Sequence, residues 1–215
     1  MSSKSIAGMG AKHTPNTPEQ PFGRIMSKIA EKLSAERGWV IHTNGDGGAS
    51  AFFEEGLSAG AKAGKPSPHV KRFLPEIGHN GHADGIVILD ESLIAKARAL
   101  LIESKAYPII PRFISLEGRD RATLTSDEVR LANLHARLVF QLLGENLDEP
   151  VTMVVCWTPD GAIDQSGMSA DITGTTGIAI AVAKLKSIPV FNLQNSEHLK
   201  RICVFIGEPV PGISS

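Results

Sequence analysis

The feature that most constrains this chain is the placement of its glycines. Twenty-one of them fall largely in clusters, at Gly8–Gly10, Gly45–Gly48, Gly78–Gly85 and Gly161–Gly177, and most clusters touch a short apolar run. Glycine lacks a Cβ, so it marks where a chain turns tightly or lets another group approach its backbone. Short apolar strands that end in such turns and then feed helices are the layout of an open α/β sheet. The expected fold is therefore α/β, a parallel sheet flanked by helices.

Local signals fill in that layout. Ser5-Ile6-Ala7 reads as a first strand. Residues 17–37 read as a helix, with Thr17 as N-cap, Pro18 in the first turn, Ile25, Ile29 and Leu33 at helical spacing, and Gly38 as its stop. Residues 39–42 predict a strand and 50–62 a helix. Residues 64–123 are irregular, with Phe73-Leu74 and residues 86–89 as strand candidates, a helix over 91–104 and a proline-bearing loop over 107–121. Thr125 with Glu128 forms a capping box ahead of a helix to Leu143, and Gly144 closes it. Residues 151–157 are nearly all apolar, as a central parallel strand should be. A helix over 176–186, a strand over 188–191 and a short helix from Ser196 to about Arg201 follow; residues 202–206 extend that helix or form one more strand. Strands alternating with helices make this a Rossmann-like open sheet, one domain over 1–206 with an irregular insertion near 64–123 and a loose tail over 207–215.

Four turns carry the chemistry. Gly8-Met9-Gly10-Ala11-Lys12 follows the first strand and offers a cation, although His13 stands where a dinucleotide fingerprint has its third glycine. Thr43-Asn44-Gly45-Asp46-Gly47-Gly48 is a strand-to-helix turn that can nest an anion in its N–H groups; Asp46 there serves as a cap or as acceptor for a ribose hydroxyl. Trp157-Thr158-Pro159-Asp160-Gly161 lies at the carboxyl end of the buried strand, where Trp157 stacks on a base or fills the core edge and Asp160-Gly161 is readable as a plain turn. Thr173-Gly174-Thr175-Thr176-Gly177 brings hydroxyls and glycines to a helix start, which suits a phosphate. It is the strongest of the four.

Composition removes other classes. A net charge of −1 and few aromatics give no basic footprint for nucleic acid. The apolar runs fall short of the roughly 20 residues a membrane helix needs, and residues 1–15 carry no signal-peptide core, so the expected location is cytoplasmic. Cys156 and Cys203, each inside an apolar run, read as reduced core thiols. No phosphate-binding GxxxxGK[ST] occurs. His79-Asn80-Gly81-His82 lacks a nearby cysteine, so neither a metal site nor a cofactor is expected. His135 and Arg137 lie off the Leu134–Leu138 stripe and face a ligand or solvent.

The same turns resemble the phage-type DNA-processing-protein-A-like proteins of the SLOG superfamily, which includes the LOG nucleotide phosphoribohydrolases. Residues 7–15 are similar to that group's Gly-x-Gly-Ser-Arg-x-Thr-Pro opening, and residues 43–56 to its second motif. The stretches 135–144, 154–161, 173–177 and 188–193 match more closely. The resemblance implies a nucleotide-sized pocket in a Rossmann-like (SLOG/LOG-like) sheet, and a protein that binds a nucleotide or nucleotide-derived signal, as a phage sensor or sequestering protein in the host cytoplasm. It also implies two other activities: LOG-like N-glycosidic hydrolysis, and single-strand DNA binding. The chain departs from the family at Ala11-Lys12, Gly47, Ser50, Leu138 and Thr175. Where LOG enzymes carry a catalytic glutamate after the glycine turn, this chain has Ile178-Ala179-Ile180-Ala181. Glu54, Glu55 and Arg137 are the remaining candidates for catalysis, the two glutamates being equally readable as solvated. A homo-oligomer is a further expectation of the resemblance, with the 126–143 helix readable either as its interface or as a core helix.

Overall fold

A computed structural model describes residues 4–62, 70–105, 125–169 and 172–211. Five strands, β1 (Ser5–Gly8), β2 (Val40–Thr43), β3 (Val70–Arg72), β4 (Met153–Cys156) and β5 (Val190–Asn192), form one sheet in the order β3-β2-β1-β4-β5, every pairing parallel. The helices are α1 (Phe22–Glu31, continued by a wider turn over Lys32–Glu36), α2 (Ala49–Lys62), α3 (Glu91–Glu103), α4 (Ser126–Leu143), α5 (Thr176–Leu185) and α6 (Ser196–Ile206). This is an α/β Rossmann-like open sheet.

Side chains alternate across the strands, so neighbours serve opposite layers. Ala7, Val154 and Cys156 face a core built with α3, α4 and α5. Ile6, Ile41 and Val155 face the core of α1, α2 and α6. β1 is buried throughout, as expected of a strand covered on both faces. Cys156 and Cys203 are buried free thiols, and burial pushes the Cys156 thiol far up. No helix among the described residues is long and apolar enough to cross a membrane.

The capping box at Thr125 is present, with Glu128 accepting from the Thr125 N–H at 2.8 Å. Several expectations move. The first helix begins at Phe22, not Thr17: Thr17 Oγ accepts from the Gln20 N–H at 3.1 Å, closing a turn, and the helix starts after Pro21. The third strand is Val70–Arg72, and residues 86–89 contribute only one bridge, Phe73 to Ile86. Residues 202–206 continue α6, whose cap is Asn195. His135 and Arg137 do not face solvent; both are buried. The predicted loop over 107–121 lies outside the described residues. Of the expected tail, Glu208 pairs with Arg24 at 3.2 Å and Val210 packs on the α1–α2 core.

Candidate functional site

β1 lies between β2 and β4, and the connections from the two neighbouring strands β1 and β4 run to opposite faces of the sheet. Loops diverge there and leave a crevice beyond the carboxyl ends, the usual ligand position in such sheets. A cavity of about 480 Å³ opens at this place. Its walls come from the β1 loop (Met9, Gly10, Ala11, Lys12), the β2 loop (Asn44, Asp46, Gly47), the β3–α3 connection (His79, Asn80), α4 (Leu134, Arg137, Leu138) and the start of α5 (Ile172–Thr176).

Of the residues anticipated from sequence, Gly10, Lys12, Asp46, Gly47, Arg137, Thr173, Gly174, Thr175 and Thr176 converge on this cavity. The others take part in its support. A Cβ on Gly8 would stand 2.6 Å from the Phe53 ring, and one on Gly48 2.5 Å from the Lys12 carbonyl oxygen. These two glycines let α2 and the β2 loop press against β1. A Cβ on Gly45 would meet Leu74 at 2.6 Å. Gly177 is buried in the first turn of α5.

Trp157 is buried: its ring lies 6.0 Å from Phe22, and its indole N–H donates to Gln194 at 3.1 Å. It fills the core edge and does not line the cavity. Thr158 donates to Asp160 at 2.7 Å and accepts from Asn192 at 2.6 Å. Asp160 in turn accepts from the Thr173 hydroxyl and from the Ser169 and Ala162 N–H groups. Burial pushes the Asp160 pKa up, but the bonds from Thr173 and Thr158 outweigh it and hold the carboxyl below its ordinary value. Asp160 therefore braces the loop that presents Thr173–Thr176. The buried Asn192 locks the same corner by donating to the Ala162 carbonyl at 2.8 Å.

Glu54 accepts from Thr43 at 2.8 Å and from Arg72 at 2.9 Å, outside the cavity wall. Glu55 is exposed on α2.

The polar centre is a cluster around Arg137. One guanidinium nitrogen donates to the Asn44 carbonyl at 3.0 Å, and the other to Asp46 Oδ2 at 2.5 Å. Burial lowers the Arg137 pKa while the charge and hydrogen bond of Asp46 raise it; an arginine so paired keeps its proton. Its Nε is buried with no partner among the described residues. His79 Nε2 stands 3.0 Å from Asp46 Oδ1 and 3.1 Å from Arg137. Asn80 donates to the Gly45 carbonyl at 3.1 Å and to Asp46 Oδ1 at 3.2 Å.

The opposite wall has a different character. α3, α4 and α6 are capped by Asp90, Thr125 and Asn195, whereas α1 and α5 have no side-chain cap. The Thr175 and Thr176 hydroxyls and Lys12 have no partner among the described residues. The Gly177 and Ile178 N–H groups at this helix start donate to the Gly174 and Thr175 carbonyls at 3.1 Å, so it is the two hydroxyls, the cation and the positive end of the helix dipole that together favour an anion. No group of three or more His, Cys, Asp or Glu side chains among the described residues could hold a metal ion.

Leu138 and Ala11, departures from the family pattern expected near the ligand, do line the cavity, as do Met9 and Asn44 of the first two turns; His79, Asn80, Leu134 and Ile172 were not anticipated there. For His79 and Asn80 the available signal was turn chemistry, glycines at 78 and 81 around an asparagine. Comparison with protein-family models, with curated proteins and with solved structures finds no match for this chain.

Proposed function

We propose that the cavity binds a nucleotide or nucleotide-derived signalling molecule and holds it intact, its phosphate at the start of α5 beside Lys12. One observation carries this: a cavity of about 480 Å³ at the β1/β4 crevice ends on the start of α5, where Lys12 and the Thr175 and Thr176 hydroxyls have no partner among the described residues. Small-molecule sites commonly span about 300–1,000 Å³, so a nucleotide fits the space. Asp46 Oδ2 takes one bond from Arg137 and, as a carboxylate oxygen, has room for a second from a ribose hydroxyl. The motifs resembling SLOG proteins fall on these same walls at Gly10, Asp46, Arg137 and Thr173–Thr176.

Retention without cleavage follows from the carboxylates. N-glycosidic hydrolysis needs one poised at the sugar. Among the described lining residues Asp46 is the one carboxylate, and its bonds with Arg137, His79 and Asn80 hold it as a fixed acceptor. Glu54 is tied to Arg72, and the first turns of α5 present buried Ile178, Ala179, Ile180 and Ala181.

Equilibrium dialysis against nucleoside phosphates, followed by chromatography, tests both halves. Intact nucleotide retained on the protein side is expected. Free base in the eluate would establish hydrolysis instead, and no retention would refute the site.

A further inference from the structure

The β3–α3 connection folds a tight turn, His79–Gly81, over the rim of the cavity. Gly78, Asn80 and Gly81 have φ of 76°, 51° and 81°, so three of four consecutive residues are left-handed. Asparagine is among the few non-glycine residues that tolerate this conformation. The turn chemistry accounts for an asparagine at position 80; it does not account for where the amide goes.

Asn80 Nδ2 lies 3.1 Å from His79 Nε2 and between two oxygen acceptors, the Gly45 carbonyl at 3.1 Å and Asp46 Oδ1 at 3.2 Å. Neither oxygen can donate, so the amide has one allowed orientation, with nitrogen toward them. Both amide hydrogens are consumed. That leaves Oδ1 as the one hydrogen-bonding atom of the side chain without a partner among the described residues, on a residue that lines the cavity. A carbonyl oxygen in that position accepts and cannot donate.

The rest of the cavity divides the ligand accordingly. Lys12, Thr175 and Thr176 form the anion end, and Asp46 is an acceptor for a hydroxyl. Leu134, Leu138 and Ile172 add apolar wall on which a flat ring can lie. Resting on the nucleotide assignment above, we infer that Asn80 Oδ1 reads an exocyclic amino group, so the ligand is a nucleoside phosphate with an amino-substituted base. Asn80 is exposed at the rim, and an oxo group at that place would set two acceptors against each other and gain no hydrogen bond from the side chain.

The test compares dissociation constants of the whole protein, by calorimetry, for AMP, purine riboside 5′-monophosphate (AMP without its amine) and IMP, with CMP and UMP as the pyrimidine pair. AMP is expected to bind about tenfold more tightly than purine riboside monophosphate, the worth of one hydrogen bond, with IMP weaker still and CMP ahead of UMP. Asn80→Gly keeps the left-handed turn and removes the amide. In that variant the AMP to purine riboside monophosphate ratio is expected to fall to about one. A turn that only shapes the rim would weaken all ligands together and leave the ratio unchanged. Equal affinities across the set would overturn the role of Asn80 while sparing the nucleotide site; no binding by any of the five would overturn the site itself.

Discussion

Arg137 shows how much a single side chain organises here. It reaches from α4 to a backbone carbonyl at Asn44 and to the carboxylate of Asp46, ninety-odd positions earlier in the chain. The fork of the guanidinium serves both at once, which a single ammonium cannot do. Arg137→Lys is therefore expected to cost about 1–3 kcal/mol in urea denaturation, the penalty for leaving a buried acceptor unmet, and unchanged stability would refute its bridging role. The sequence placed Arg137 beside the leucine stripe of a helix, but its partners are long-range and no local spacing announces them. His79 and Asn80 were legible only as turn residues for the same reason. By contrast Thr125 and Glu128 were readable as a cap, because their bonds span three residues.

Elements pack more closely than their propensities suggest. Gly56 lies mid-helix in α2, where glycine costs roughly 1 kcal/mol against alanine. Its place is explained by α1: a Cβ there would stand 2.0 Å from the Ser27 carbonyl oxygen, a backbone atom that cannot swing aside. Gly56→Ala gains helix propensity and loses the crossing, and overpacking of this kind costs about 1–3 kcal/mol or more. A lowered melting temperature is expected; a raised one would mean that α1 and α2 do not approach this closely. The same logic divides the glycine turns. Their existence was plain from sequence, and so was the alternation of strands and helices. Whether a glycine faces a ligand or a neighbouring loop was not, since Gly48 is decided by Lys12 and Gly8 by Phe53, both distant in the chain. Trp157 was open between stacking and packing for that reason too.

The molecule as a whole buries neutral histidines in the layer under α4. Burial lowers the pKa of His42 to about 4, a bond to the Gln141 carbonyl partly opposing it; His135 falls to about 4 through burial and then the Arg137 charge. Both start from 6.5 in the unfolded chain. Between those values the unfolded state binds protons that the folded state refuses, so stability falls as pH drops from 6.5 toward 4. Thermal unfolding across that window is expected to show a declining midpoint, flattened in His42→Gln combined with His135→Gln; an equally steep decline in the double variant would assign the effect elsewhere. The two histidines lie in the layer that also supplies Arg137, which pairs outward with Asp46.

The central claim is that the crevice beyond β1 and β4 is a nucleotide site, and Gly47 gives the cleanest way to test it. Gly47 lines the cavity, does not adopt a left-handed conformation, and a Cβ built on it meets nothing within 4 Å. A phenylalanine there should occupy the cavity without disturbing the fold. Equilibrium dialysis of the wild type and Gly47→Phe against nucleoside phosphates is the measurement. Saturable retention of intact nucleotide by the wild type, lost in Gly47→Phe at an unchanged melting temperature, is the predicted result. Retention that survives Gly47→Phe, or no retention by the wild type, would contradict it.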